Sequence, residues 1–435
     1  MAGKKWYRLD NAGKLYPSIA STRRSTVFRL SAKISQQVDQ VQLQKALDRT
    51  IVRFPYYQVN LKRGLFWYYF EEVTHLPQVR PETHYPCMFL RIRQAKTFPF
   101  RILYHNRYIH LEMSHSIADG NGALIFLKTL LVTYFQLKEG VKCSSLSGAM
   151  DIEEVADGEE YEDAFVRYYQ KGAPTIKRPP AALDFPFELM EKGKYSFLTG
   201  TSPIDHVKVQ AKAHGCTVTQ LMSAIYFMAI QDYIKDPQYS EAKMREGRIV
   251  LNLPVDLRQI FPSKTMKNFF VSLTPAIDLR LGTYTLEEII DYLKGYMQQH
   301  VSKKNLRQYV NRNVKNERHP IIRILPLPLK NMVMPFIYVW FGERVYTSSI
   351  SNLGLVKLPA EIEDFVDDIE FYPAPSETNK IKMCLSAYKD KVYLCFGRTT
   401  ENTEIEMHFF RRMIKMGIPV KMETNLNQTG TEGVN

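Results

Sequence analysis

Residues 107–137 constrain the fold more tightly than any other stretch. From Arg107 to Ser114 the apolar residues Ile109, Leu111 and Met113 alternate with Tyr108, His110, Glu112 and Ser114, the period of a half-buried strand. From Ala123 to Leu137 the chain is apolar enough for a buried helix. Between them stands Ser114-His115-Ser116-Ile117-Ala118-Asp119-Gly120-Asn121-Gly122. A strand, a tight turn and a helix in that order demand a sheet with a helix laid against it. They also place one histidine at the strand's end, where its backbone is held. An imidazole with a near-neutral pKa can take a proton from an alcohol or amine as that group attacks a carbonyl. Asp119 can lock the turn, and Gly120 tolerates backbone angles and close approaches that other residues resist.

The same mixture of elements runs through the chain. Thr26–Ile34 reads as a strand and Asp39–Arg53 as an amphipathic helix that Pro55 ends. Strand-like runs follow at 56–61, 65–71, 89–93 and 100–104. In the second half, 206–214 reads as helix. Thr217 with Gln220, and Thr285 with Glu288, form capping boxes for helices reaching Asp232 and about Val301. Strands are expected at 248–253, 269–274, 345–352, 380–388 and 391–398, the last two joined as a hairpin at Lys389-Asp390, and a final helix at 403–416. The tail from Met422 reads as frayed. A chain of 435 residues is too long for one ordinary core. The expected division is therefore a first lobe at 1–165, a connection at 166–195 and a second lobe at 196–435. The eight carboxylates within 151–163 read as part of a solvated connection.

Composition narrows the function. Five scattered cysteines with no CxxC pair indicate neither a disulfide framework nor a metal site, and imply a reduced, cytoplasmic setting. No secretory signal follows the basic N-terminal residues. The longest apolar run, Met332–Phe341, is about half of what spans a bilayer and contains Pro335. It reads as a buried segment, with a lipid-facing surface as the lesser reading. A net charge of +13 suits a phosphorylated cofactor, an anionic membrane or an acidic carrier protein. No basic motif interleaved with aromatics appears, so nucleic acid is not expected. Zincin, nucleophile-elbow and phosphate-loop motifs are absent from the sequence.

His115-Ser116-Ile117-Ala118-Asp119-Gly120 resembles the HxxxDG motif of the acyltransferase superfamily that includes chloramphenicol acetyltransferase, plant BAHD acyltransferases and peptide-synthetase condensation domains. Arg53-Phe54-Pro55, Pro254-Val255-Asp256-Leu257-Arg258, Asn268-Phe269-Phe270 and Ser351-Asn352-Leu353-Gly354 accompany it in order. The likeness is nearest to bacterial alcohol acetyltransferase-like proteins and extends over nearly the whole chain. It implies an α/β (α+β) fold of two chloramphenicol-acetyltransferase-like lobes, each a mixed sheet flanked by helices, with a tunnel at their interface. It implies that His115 is the general base. Asp119 and Gly120 would shape its loop, with Arg53 as the ion-pair partner of Asp119. Asn352 or Ser351 would meet the oxyanion or position the donor. Arg258 and Asp256 read as a structural pair. Acyl-CoA or an acyl-phosphopantetheine carrier would be the co-substrate, with no resident cofactor. Ser114 departs from the many relatives that have a second histidine there.

The leading expectation is acyl transfer from a CoA thioester to an alcohol. An amide-forming, condensation-like N-acyltransferase with a carrier-bound donor is the second. A non-catalytic thioester- or lipid-binding relative is the third, and the intact His115, Asp119 and Gly120 weigh against it.

Overall fold

The computed structural model describes residues 5–22, 24–177, 179–236 and 247–425. Two mixed sheets dominate, each with its own apolar core. The first has five strands in the order Val366–Tyr372, Val27–Ile34, Tyr108–Ser114, Phe100–His105 and Val79–Pro81. The second has eight. Its main path runs Phe270–Leu273, Arg248–Asp256, Ser348–Val356, Ile381–Tyr388, Lys391–Arg398, Ser196–Pro203 and Lys421–Thr424, and Ala276–Asp278 adds to the second of these. A small sheet joins Trp6–Arg8, Tyr68–Glu72 and Val59–Arg63.

The central strand of the first sheet is Tyr108–Ser114, antiparallel to both neighbours. Its burial is deeper than simple alternation suggests. Glu112 is fully buried and receives Arg29 and Arg101, so this polar position faces charge partners rather than water. Helices Gln40–Arg53 and Gly120–Glu139 lie together on this sheet. Asp39 caps the first through Val41 N and Gln42 N, and Asp119 caps the second through Gly122 N. Both expected capping boxes form, at Thr217 with Gln220 and at Thr285 with Glu288.

Several expectations fail for local reasons. Residues 89–93 form no strand; they lie in an irregular stretch after Cys87, whose φ is 57°. Lys421–Thr424 is an edge strand rather than frayed tail, while residues 426–435 lie outside the described residues. Ser196–Pro203 looks polar and small in sequence. It is a strand whose Gly200 leaves room for the Phe410 ring, which a Cβ there would meet at 2.2 Å. The acidic run is only partly solvated: Glu160 and Asp163 fold inward, and burial raises the Asp163 pKa to about 7.

The first sheet is completed by a strand from the far end of the chain. Val366–Tyr372 pairs antiparallel with Val27–Ile34, from Val366 opposite Ile34 to Tyr372 opposite Arg29. A division at 166–195 therefore does not separate the sheets. The acidic positions of this strand hide its alternation, because each has a partner. Asp367 receives Arg107, Asp368 receives Lys391 and Tyr393, and Glu370 receives Tyr372.

Candidate active site

The histidine turn is tied down from three sides. His115 N donates to Thr26 O at 2.9 Å, extending the strand pairing by one residue. The Ser114 hydroxyl, buried at the position of the sequence departure, bonds with the hydroxyls of Thr26 (3.2 Å) and Ser116 (2.9 Å) and accepts from Ser116 N. The Asn268 amide reaches across from the second half, donating to His115 O at 2.9 Å and to Asp10 Oδ2 at 3.0 Å. Ser114 thus ties the strand end to Thr26 and the turn to Ser116.

The imidazole lies in an aromatic setting at the seam between the halves. Tyr16 stacks on it at 5.3 Å and Phe28 tilts against it at 4.5 Å. Phe270, from the other sheet, lies 6.2 Å away. Burial is the largest influence on its pKa and lowers it to about 4. The Asp119 carboxylate, the Asn268 side chain and the Ala118 carbonyl favour the charged ring but are outweighed, and the Lys382 charge adds to the depression. The ring is therefore neutral at pH 7, the state a proton acceptor needs. Nδ1 is buried without a hydrogen-bond partner, and so is Asn268 Oδ1.

Asp119 does not pair with Arg53. Its carboxylate is held by Arg258, with Nη1 to Oδ2 at 2.9 Å and Nη2 to Oδ1 at 3.2 Å, and Oδ2 also accepts from Phe269 N at 2.9 Å. Arg258 is fully spent. Nη1 also reaches Asp256 at 2.7 Å, Nε donates to Thr265 O at 3.0 Å, and Nη2 donates to Lys267 O at 2.6 Å. Every guanidinium N–H has an acceptor. Burial alone would lower the Arg258 pKa, but the two carboxylates outweigh it and raise it. Arg53 instead makes a two-pronged pair with Glu160, at 2.8 and 2.7 Å, which Tyr56 shares at 2.7 Å. The capping box at Asp157 holds Glu160 beside Arg53: Asp157 N donates to Glu160 Oε1.

The 265–268 segment carries the seam. Gly122 leaves no room for a side chain there, since a Cβ would meet Met266 O at 2.3 Å and Tyr57 Oη at 2.9 Å. Tyr57 donates to the same carbonyl at 2.7 Å. Gly120 is less confined, with Leu353 and Phe371 nearest. Ser351 lies opposite Cys384 in a parallel strand pair. Asn352 is exposed; its amide donates to Thr219 Oγ1 at 2.9 Å and accepts from Gly354 N at 2.7 Å. Cavities of about 280 Å³ at Ser25, Cys87 and Tyr195, and about 430 Å³ at Lys208, Lys212 and Thr217, are not lined by His115. Among the described residues no group of His, Cys, Asp and Glu is arranged to hold a metal ion. Asp10, Tyr16 and Phe28 carried no signal in the sequence, because their roles depend on which strands become neighbours. Arg258 and Asn268 stood inside the quoted motifs: the expected Arg258–Asp256 pair forms, while the bond from Arg258 to Asp119 and the role of Asn268 were not foreseen.

The chain matches no family model and no curated protein sequence. Solved structures do match its fold. TRI101 of F. sporotrichioides, complexed with coenzyme A and T-2, superposes with a TM-score of 0.62 at 11% identity, covering 96% of this chain and 99% of that one. The starter condensation domain of rhizomide synthetase, in complex with C8-CoA, gives 0.60 at 13% identity over 95% of each chain. Polyketide synthase associated protein 5 from Mycobacterium tuberculosis gives 0.59 at 11% identity, over 93% and 96%. The chain has the two-lobe fold of condensation domains and of TRI101. At these identities the likeness shows the fold alone.

Proposed function

We propose that this protein transfers an acyl group from acyl-CoA to an alcohol, with His115 as the general base. The observation that carries this reading is the placement of the imidazole, where burial favours its neutral form. It is held at a strand end, walled by aromatic rings from both sheets and braced through its own loop by Arg258 and Asn268. With the ring proton on Nδ1, Nε2 keeps its lone pair and removes the acceptor's proton. The alkoxide attacks the thioester carbonyl, the tetrahedral intermediate collapses, and the CoA thiolate leaves and takes up a proton. No acyl-enzyme is required. The neighbours crystallised with CoA or an acyl-CoA support a thioester donor. Leu353 approaches Gly120, so the Ser351–Leu353 segment flanks the histidine loop, and we assign Ser351 and Asn352 to positioning the donor.

A screen of acyl-CoAs against pooled alcohols and amines, read by thiol release, tests the reading. His115→Ala should lower turnover by about 10²–10⁴-fold. Unchanged turnover would refute the base. Activity with a carrier-loaded donor and an amine, and none with acyl-CoA and alcohols, would establish the condensation-like alternative instead.

A further inference from the structure

The apolar run expected to be buried is instead displayed. Helix Leu327–Tyr338 and the turn after it carry Leu329, Met332, Val333, Phe336, Ile337 and Trp340 at three- and four-residue spacing, all on the exposed side. Met332 is 62% exposed, Phe336 68% and Trp340 61%. Ile321 and Ile324 on the preceding short helix Pro320–Ile324 are equally open. Leu65 and Phe66, at the tip of the hairpin between Val59–Arg63 and Tyr68–Glu72, extend the patch, since Leu327 N donates to Leu65 O at 2.9 Å. Such a contiguous surface exceeds what scattered exposed residues explain.

The amphipathicity of this helix is inverted on purpose. Its one lysine points inward: Lys330 Nζ donates to Phe66 O at 2.7 Å and sits 3.5 Å above the Trp67 ring. Asn331 Nδ2 donates to Tyr68 Oη at 2.8 Å. Leu327 and these polar groups anchor the helix to the protein, and the apolar stripe beyond them faces out.

The charge around the patch has one sign. No Asp or Glu occurs between Glu317 and Glu343. Glu317 is turned to Lys14 and Asn11, and Glu343 is buried against Ser376 and Arg24. Lys315, Arg318, Arg323 and Arg344 are exposed along the same segment, and the Arg344 guanidinium lies 4.4 Å over the Trp340 ring. An apolar stripe with a tryptophan and a cationic border is complementary to an anionic lipid surface. It is poorly complementary to a second copy, which would bring like charges together across a two-fold. No helix among the described residues is long and apolar enough to cross a membrane, so the stripe would lie in the interface.

We propose that this face docks the protein on the surface of an anionic bilayer. The helix packs on Tyr16–Ile19, whose Tyr16 stacks on His115, so the docked face is one short helix from the imidazole. The docking itself does not depend on the acyl-transfer reading.

Co-sedimentation of the full chain with phosphatidylcholine vesicles, and with vesicles of phosphatidylcholine and phosphatidylglycerol, tests it. Binding should appear with the mixed vesicles and weaken as salt rises. Phe336→Glu/Trp340→Glu should lower partitioning by at least about ten-fold, the loss expected for two interfacial side chains. Arg323→Glu/Arg344→Glu should lower binding and flatten its salt dependence. Circular dichroism and thermal melting report whether the surface variants fold. No binding of the wild type to mixed vesicles overturns the proposal. So does binding that the apolar variant leaves unchanged. A wild-type dimer that the apolar variant converts to monomer, without vesicle binding, overturns it in favour of a second copy.

Discussion

Replacing Arg258 with methionine removes five hydrogen bonds at once and keeps most of the side-chain stem. Asp119 then retains only Gly122 N and Phe269 N, at 3.1 and 2.9 Å, as donors to a carboxylate that is almost wholly buried. Breaking a buried ion pair from one side costs about 3–5 kcal/mol, mostly the penalty of the charge left behind. Asp119→Asn removes that stranded charge. The double variant Arg258→Met/Asp119→Asn should therefore be less unstable than the sum of the singles, by about 2–3 kcal/mol, near the upper end of coupling between contacting residues. Arg53 has no contact with Asp119 and is bound to Glu160. Arg53→Met with Asp119→Asn should thus add to within about 0.5 kcal/mol. Urea midpoints for the two cycles decide the matter. Negligible coupling between Arg258 and Asp119, or strong coupling between Arg53 and Asp119, would refute the assignment of the brace. The same variant should also lower kcat/KM by about 10²-fold, because the loop it holds carries His115.

With a pKa of about 4, His115 should leave kcat/KM flat from neutral pH down to about pH 5, with an acidic limb near pH 4. A limb near 6.5, the ordinary histidine value, would show that burial does not set the base. The linked stability has a definite sign. Between about pH 6.5 and 4 the unfolded chain holds a proton at this residue and the folded chain does not, so its contribution is complete above 6.5 and lost as pH falls through that window. Gly122→Ala should destabilise by about 1–3 kcal/mol or more and depress activity, since the new Cβ meets backbone at Met266 that cannot swing aside. Gly120→Ala, facing the flexible tip of Leu353, should be milder; equal effects in thermal melting would contradict this reading of the seam.

The strand–turn–helix at 107–137 was legible because its apolar period and its cap are local. The capping boxes at Thr217 and Thr285 were legible for the same reason. Ser196–Pro203 and Val366–Tyr372 were not, since small or acidic residues there are explained only by Phe410, Arg107 and Lys391 across the fold. The site divides likewise. His115 and Asp119 stand where the local pattern put them, just after the strand Tyr108–Ser114 and at the cap of the helix Gly120–Glu139. Which arginine reaches Asp119 depends on how the 256–270 segment crosses to the first sheet, which no spacing encodes. Met332–Phe341 misled because composition states how apolar a run is, and not which way its lysine points.

The strand Val366–Tyr372 has a consequence for how the molecule can be made and moved. Its partner Val27–Ile34 is more than three hundred residues upstream, so the first sheet has a bare edge until nearly the whole chain has left the ribosome. A truncated product ending near residue 165 would keep that edge and tend to aggregate. In the finished protein the same strand stitches one half into the other. The two halves cannot swing apart like a hinged book without tearing out a sheet strand.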